Sequence, residues 1–405
     1  MEEWKLKDIC DLIVDCPHST AKDEGHGYPL IRTPNVGKGR LLLQNVHRVN
    51  ELVYKARNER AIPSVWDIIL AREAPVGNAA IIMPGQKVCL GQRVVLIRAN
   101  NCIVNPMFLV YYLLSDNIQH KLKNNANGAV VAHLNMEEIR NLKVSLPDIK
   151  IQNRVASILS SIDDKIDCNR RINDNLEQQA QALFKSWFVD FDPFKDGEFV
   201  ESEMGLIPKG WRVGLLSEIG EIVGGSTPSK AKSQYYTSNG IPWLTPKDLS
   251  NSPCKFTAKG EIDITKEGYA SCSTKIMPKG TVLFSSRAPI GYVSIAKNEI
   301  CTNQGFKSVV PKEAGTAFIY YFLKTSTKDI ENKATGSTFK EASGALMKSL
   351  PTIIPTKSVL YGFEQIMEPI FRKQETIEDE SRRLAQLRDT LLPRLMSGEL
   401  KVNEI

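Results

Sequence analysis

No stretch of eighteen apolar residues occurs in these 405 residues, which leaves no candidate for a membrane-spanning helix. The opening Met1-Glu2-Glu3-Trp4 lacks the basic and then apolar pattern of a signal peptide, so a cytoplasmic location is expected. The eight cysteines, at 10, 16, 89, 102, 168, 254, 272 and 301, form no C-x-x-C pair and no cluster with histidine. Neither a zinc site nor a disulfide scaffold is indicated, and reduced thiols are expected. No G-x-x-x-x-G-K-[ST] phosphate loop is present. The five histidines, His18, His26, His47, His120 and His133, all lie in the first half, and the carboxylates form no spaced acid/base or metal set. No catalytic residue, metal or cofactor is therefore read from the chain, and it is expected not to be an enzyme.

What is present is a duplication. One heptad ladder reads Ile151, Val155, Ile158, Ile162, Lys165, Asn169, Ile172, Leu176, Gln179, Leu183; about 208 residues on, a second reads Val359, Phe363, Ile366, Ile370, Lys373, Ile377, Glu380, Leu384, Leu387, Leu391. Steps of four and three predict long helices that pack along a narrow seam. The segments before them also correspond. Ser19-Thr20 matches Ser226-Thr227, and Thr33-Pro34 matches Thr245-Pro246. Arg72-Glu73-Ala74-Pro75-Val76-Gly77 matches Ser286-Arg287-Ala288-Pro289-Ile290-Gly291, with the arginine displaced by one place. Gln92 matches Gln304, the pair Tyr111-Tyr112 matches Tyr320-Tyr321, Gly128 matches Gly336, and Pro147 matches Pro355. An ordered series of this length is an internal repeat.

Charge follows the same division. Residues 1–150 carry 19 Lys and Arg against 15 Asp and Glu, and residues 207–355 carry 19 against 11; residues 151–206 carry 6 against 11 and residues 356–405 carry 8 against 9. Two basic globules and two acidic helical regions fit a polyanion ligand held by the globules. Short strands are predicted at Trp66–Ala71 and Val94–Ile97, and again at Thr281–Ser285 and Ser308–Val310, with a helix after each set. The expected fold class is α+β: two mixed α/β domains in a pseudo-twofold arrangement, separated by an antiparallel coiled coil of two long helices. The expected divisions are 1–148 first domain, 149–190 first long helix, 191–209 linker, 210–355 second domain, 356–393 second long helix and 394–405 tail. Antiparallel pairing within the chain sets Ile151 against Leu391, Val155 against Leu387, Ile158 against Leu384 and Asn169 against Lys373; pairing between two chains is the alternative. Asp163, Asp164, Asp167 and Glu177 form an acidic face suited to a protein partner. Trp187, Phe188, Phe191 and Phe194 read either as a sticky patch beside it or as a staple holding the helix end to the next domain.

Several of these pieces carry a resemblance: Asp15-Cys16-Pro17-His18-Ser19-Thr20, Gly225-Ser226-Thr227-Pro228, Ser186-Trp187-Phe188-Val189-Asp190-Phe191-Asp192-Pro193-Phe194, Glu203-Met204-Gly205-Leu206-Ile207-Pro208-Lys209-Gly210-Trp211 and Leu391-Leu392-Pro393-Arg394-Leu395-Met396-Ser397-Gly398-Glu399-Leu400. In this order they make the whole chain resemble the specificity subunit of type I restriction-modification systems. The resemblance implies two target-recognition domains, each reading one half of a bipartite site in double-stranded DNA. It implies helices that set the spacer and dock two modification subunits, with restriction subunits joining through those. Adenine methylation and ATP-dependent cleavage would belong to the partners. In agreement, Asn105-Pro106-Met107 departs from the Asn-Pro-Pro-aromatic stretch of amino methyltransferases. A coiled-coil scaffold whose lobes bind proteins, and a self-contained methyltransferase or nuclease, are the alternative functions.

Base reading calls for Arg or Lys on guanine and Asn or Gln on adenine. The DNA-binding candidates are the polar members of the repeated turns. In the first domain these are Lys38, Arg40, Arg72, Gln92, Arg93, Asn127 and His133; in the second they are Lys230, Lys232, Lys247, Arg287, Gln304, Lys307, Ser337, Thr338 and Lys340. Arg72 and Arg287 rank first because both adjoin the repeated Ala-Pro-x-Gly turn.

Overall fold

The strand that opens each globule pairs with the strand that closes it. In the computed structural model, which describes residues 2–124, 133–287, 289–336 and 340–401, Glu2–Lys5 runs antiparallel to Lys143–Leu146 and Arg212–Leu215 runs antiparallel to Pro351–Ile354. The chain folds as two compact units, Met1–Cys168 with Ser381–Ile405, and Asn169–Glu380. The division falls inside the long helices instead of at their ends.

Each unit is built on a five-stranded sheet. In the first unit its strands are β1 (Cys10–Asp15), β2 (Gly39–Arg40), β3 (Ile68–Ala71), β4 (Ala79–Ile81) and β5 (Val94–Ala99), in the order β1-β5-β3-β4-β2. The helix α1 (Pro106–Leu113) then covers the sheet, two further helices, Asp116–Asn124 and Met136–Arg140, follow it, and α2 (Ile149–Phe188) comes after the closing strand. The second unit has β6 (Gly220–Gly224), β7 (Phe256–Thr257), β8 (Val282–Ser286), β9 (Ile290–Ala296) and β10 (Lys307–Pro311), in the order β6-β10-β8-β9-β7. After it come α3 (Gly315–Lys333) and α4 (Lys357–Ser397). Strand for strand, the two sheets have one topology.

Burial explains why continuous apolar runs form strands here. Ile68, Ile69 and Leu70 are fully enclosed, as are Val282, Leu283 and Phe284, because the central strand of each sheet is covered on both faces. Pro106 fits the first turn of α1, where its missing N–H costs nothing, and the Asn105 side chain accepts from the Phe108 amide to cap the same turn. Phe108, Leu109 and Tyr111 then point into the core, as do Phe318, Ile319 and Tyr321 on α3. Each large side chain so buried contributes about 1.5–3 kcal/mol.

The two long helices run 40 and 41 residues. In the first unit Val155, Ala156 and Leu159 of α2 and Leu395 of α4 join the core around Phe108 and Leu122. In the second unit Ala180, Phe184 and Phe188 of α2 meet Leu360, Phe363, Met367 and Phe371 of α4 around Phe318 and Tyr321. The pairing in the second unit is antiparallel. Asn169 donates to Glu380 at 2.9 Å, Gln374 donates to Glu177 at 3.3 Å, and Phe188 packs on Phe363 with ring centroids 4.8 Å apart.

The buried stripe departs from the predicted seam. Val155, Ile162, Asn169, Phe363 and Ile377 are buried, and Ile158, Leu176, Leu183, Val359, Ile370, Leu384 and Leu391 are half-buried. Ile151, Ile172, Ile366 and Leu387 instead keep 45%, 38%, 41% and 47% of their surface, and Lys373 is exposed. On α4 Leu360, Met367, Phe371 and Gln374 are buried as well, each one residue beyond a predicted rung. Asn169 faces Glu380 and not Lys373, a register one heptad away from the expected one. The cause is the globules: a helix that also lies on a domain buries a face wider than a two-position seam, and the stripe turns toward the domain. The aromatics at the end of α2 act as the staple. Phe191 and Phe194 pack against Trp211, with centroids 5.6 and 5.0 Å apart, at the entry to the second globule.

Candidate nucleic-acid interface

In the first unit the polar turn after β3 meets the start of β5. The Arg72 amide donates to the Arg93 carbonyl at 2.9 Å, and the Arg72 carbonyl accepts from the Leu134 amide at 3.0 Å. This backbone frame gathers Asp15, Arg72, Glu73, Arg93 and His133. The Arg72 guanidinium donates through Nε to the Leu134 carbonyl at 2.9 Å and through Nη1 to Asp15 at 2.6 Å, and its Nη2 lies 2.7 Å from His133 Nε2. A guanidinium only donates, so His133 Nε2 accepts and its Nδ1–H donates to Glu73 at 3.2 Å. Arg93 Nη1 reaches the other Glu73 oxygen at 3.0 Å while its side chain stays 60% exposed. Gln92 donates to the His18 carbonyl at 2.6 Å, drawing the loop after β1 onto the same surface.

The second unit repeats the frame with other side chains. The Ser286 amide donates to the Gly305 carbonyl at 2.8 Å, and the Ala342 amide donates to the Ser286 carbonyl at 2.9 Å. Ser286 thus stands where Arg72 does, Arg287 where Glu73 does, Gly305 where Arg93 does, and Glu341 where His133 does. Arg287 lies 3.7 Å from Glu341, and Lys307 donates to the same carboxylate at 3.0 Å. Thr227 donates to Gln304, as the loop after β1 is tied to Gln92 in the first unit. Lys230, Lys247, Arg287 and Gln304 share an open cleft of about 710 Å³ with Thr245 and Asn303. Cationic donors and side-chain amides on one concave face are the groups that contact phosphates and base edges.

Other predicted residues lie elsewhere. Arg40 is buried, donates to Asp164 at 2.8 Å and lies 3.7 Å from Asp167, so it ties the edge strand to α2. Arg72 is 5% exposed and spends its donors internally, so its place beside the turn does not present it to a ligand. Lys38 is exposed but lines a different hollow, with Asn78, Tyr111 and Arg388. Lys232 donates to the Tyr235 hydroxyl at 3.0 Å, and Lys340 to the Glu331 carbonyl at 3.4 Å. Asn127, Ser337 and Thr338 lie outside the described residues.

Asp163 and Glu177, expected on an acidic face for a protein partner, instead turn inward in a second polar constellation in each unit, where the globule meets the long helices, and sequence reasoning missed their partners. Tyr111 donates to Asp163 at 2.6 Å, and Arg388 of α4 donates to the other oxygen at 2.8 Å. In the second unit Tyr321 donates to Glu177 at 2.9 Å. Lys255, just before β7, donates to Glu177 at 2.7 Å, to the Tyr321 oxygen at 2.8 Å and to Gln374 at 2.8 Å. Lys324 reaches the second Glu177 oxygen at 2.6 Å, and the Phe371 ring centre lies 3.9 Å from the Lys255 nitrogen. Burial pulls Lys255 down to about 8 despite the Glu177 charge. Burial acts to raise Glu177, but the Lys255 charge and the two lysine hydrogen bonds hold it far below the usual carboxylate range. The available signal was the repeated Tyr-Tyr pair, one member of which donates to the carboxylate in each cluster.

Among the described residues no helix is long and apolar enough to cross a membrane. The family whose model is described as the type I restriction modification DNA specificity domain matches residues 1–178 and, a second time, residues 208–387. The type I restriction enzyme MjaIX specificity subunit of Methanocaldococcus jannaschii is 41% identical over 191 residues, 45% of this chain and 44% of that protein. The HindI specificity subunit of Haemophilus influenzae is 26% identical over 469 residues, spanning 99% of this chain and 100% of that one. A crystal structure of the S subunit of the type I restriction-modification system from M. genitalium has the same fold, with a TM-score of 0.58 at 16% identity over 97% of this chain and 95% of that one.

Proposed function

The chain belongs to the type I restriction-modification DNA specificity family, and from that premise we propose that it is the non-catalytic DNA-reading subunit of such a complex. Each globule recognises one half of a split duplex site. The long helices set the spacer between the halves and carry the docking surfaces for two modification subunits, through which restriction subunits join. Methyl transfer and cleavage take place on those partners.

The single observation that carries this reading is the polar turn built twice on one sheet topology, with Arg93 exposed in the first unit and Lys247, Arg287 and Gln304 sharing a cleft in the second. Different side chains on a common frame are what two half-sites of different sequence require. Electrostatic affinity supplied by the basic globules should fall steeply with salt, whereas discrimination among sequences should persist. A gel shift of the full chain over random duplexes at rising salt tests this: the expected result is a steep salt slope with one split sequence retained. Salt-independent retention, or no selectivity at any salt, refutes it and favours a scaffold for proteins.

A further inference from the structure

We propose that Arg93 and Arg287 are the guanine-reading residues of the two globules, and that Glu73 and Glu341 are the positioning residues that aim them. The inference rests on the reading of the chain as a bipartite DNA-recognition subunit and names the specificity determinants within it. A guanidinium reads guanine by laying two N–H groups on O6 and N7 in the major groove. The task needs an arginine at the surface, with donors in solvent and a partner that fixes the direction of the fork.

In the first globule Arg32 is half-buried, and Arg48, Arg60 and Arg140 donate to the Gly27, Asp15 and Ile13 backbone carbonyls. Arg40, Arg57 and Arg72 are 5–7% exposed, and Arg57 spends its donors on the Leu90, Ser19 and Pro17 carbonyls. Arg98 is clamped by both oxygens of Asp67. Arg93 is 60% exposed and held on one side by Glu73. Its backbone has φ 65°, a left-handed conformation that glycine adopts freely and an arginine does not, so the site retains the side chain against a local penalty. Among the 19 basic residues of 207–355 only Arg212 and Arg287 are arginines. Arg212 pairs with Glu218 at 2.7 Å at the strand that opens the globule, whereas Arg287 lies in the cleft.

The backbone frame shows that the pair has changed places between the repeats. The guanidinium stands before β5 in the first unit, where the second has Gly305, and after β8 in the second, where the first has Glu73. The carboxylate moves from position 73 to position 341, the place of His133. Exposed ion pairs add little stability, so a frame that regains the same pair from different residues points to a ligand rather than to folding. Because the two forks start from different strand ends, the guanine lies at a different step within each half-site.

The test is sequence selection by the full chain from randomised duplexes, read by sequencing of the bound fraction. Arg287→Lys keeps the charge and loses the fork: it should cut preference for guanine at one base pair of one half-site by about tenfold or more and leave the other half-site unchanged. Arg93→Lys should do the same in the other half-site. Glu341→Gln and Glu73→Gln should relax the same base pairs as their arginine partners, whereas a merely structural role would weaken all sequences alike. The untouched half-site and the thermal melt report folding, and Arg287→Gln should turn the preference toward adenine. The inference falls if the wild type selects two blocks but the arginine variants keep both, or if the relaxed pair contains no guanine. If the wild type selects no two-block sequence, the DNA-reading proposal itself fails.

Discussion

In the first unit Tyr111 donates to Asp163, and Arg388 of α4 neutralises that carboxylate; in the second Tyr321 donates to Glu177, and Lys255 from the globule neutralises it. One contact between domain and helix is thus kept as a set of roles: a tyrosine, a carboxylate on α2 and a cation. The cation comes from the other long helix in one case and from the sheet edge in the other. The difference lies in desolvation. The Lys255 side chain is 7% exposed and ringed by Tyr320, Tyr321 and Phe371, whereas the Arg388 side chain is 15% exposed and also holds Asp389 at 2.9 Å.

That contrast predicts the largest effect. Glu177→Ala strands a buried ammonium and should destabilise the second unit by about 3–5 kcal/mol. Asp163→Ala leaves Arg388 with Asp389 and part of its surface in water, and should cost the first unit about 1–3 kcal/mol. Urea unfolding of the full chain, followed by tryptophan fluorescence, ranks the two; equal losses or the reverse order would break the comparison.

The helix that follows each sheet gives a second, smaller contrast. Gln152 of α2 accepts from the Asn105 amide at 2.9 Å at the start of α1, whereas Glu364 of α4 accepts from the Ala317 and Phe318 amides at 2.8 and 3.1 Å at the start of α3. Burial raises the Glu364 carboxyl to about 7, against the pull of those amide hydrogen bonds. A raised folded-state value means that the native state binds more protons between about 4.5 and 7, so this contribution is full below 4.5 and is lost as pH rises through 7. The second unit should lose stability over that window with a slope no steeper than about 1.4 kcal/mol per pH unit. Glu364→Gln keeps the acceptor and should flatten the profile, as Gln152 already does in the first unit. Thermal melts at pH 5, 6 and 7 check this, and an unchanged slope in the variant assigns the effect to another group.

These contrasts mark where the sequence was legible. Period and punctuation were local: the ladders located α2 and α4, and the apolar runs located β3, β5, β8 and β10. The face each helix buries was not local, since Ile366 or Met367 is chosen by the domain that covers α4. Arg72 drew attention through its neighbours in sequence, yet its burial is decided by Asp15 and His133, 57 and 61 residues away. Glu73 and Glu341 went unselected because carboxylates are poor DNA ligands, and their pairing with Arg93 and Arg287 forms only in the folded chain. Lys255 read as one lysine among many, since nothing nearby in sequence announces Glu177.

Gln92 and Gln304 carry the smallest expected effect and the sharpest distinction between the halves. Both were legible from the repeat, and both hold the loop after the first sheet strand, Gln92 through the His18 carbonyl and Gln304 through the Thr227 hydroxyl. Each contact is exposed, so Gln92→Ala or Gln304→Ala should cost about 0.5–1.5 kcal/mol or less. If each glutamine also offers its amide to a base, the loss falls on one half-site alone, and on opposite halves for the two variants. A uniform loss over all duplexes in the selection experiment would make them loop ties only. Recognition would then rest on the arginines and lysines of the two turns, because the frame that holds them would be intact while the amides contributed no reading of their own.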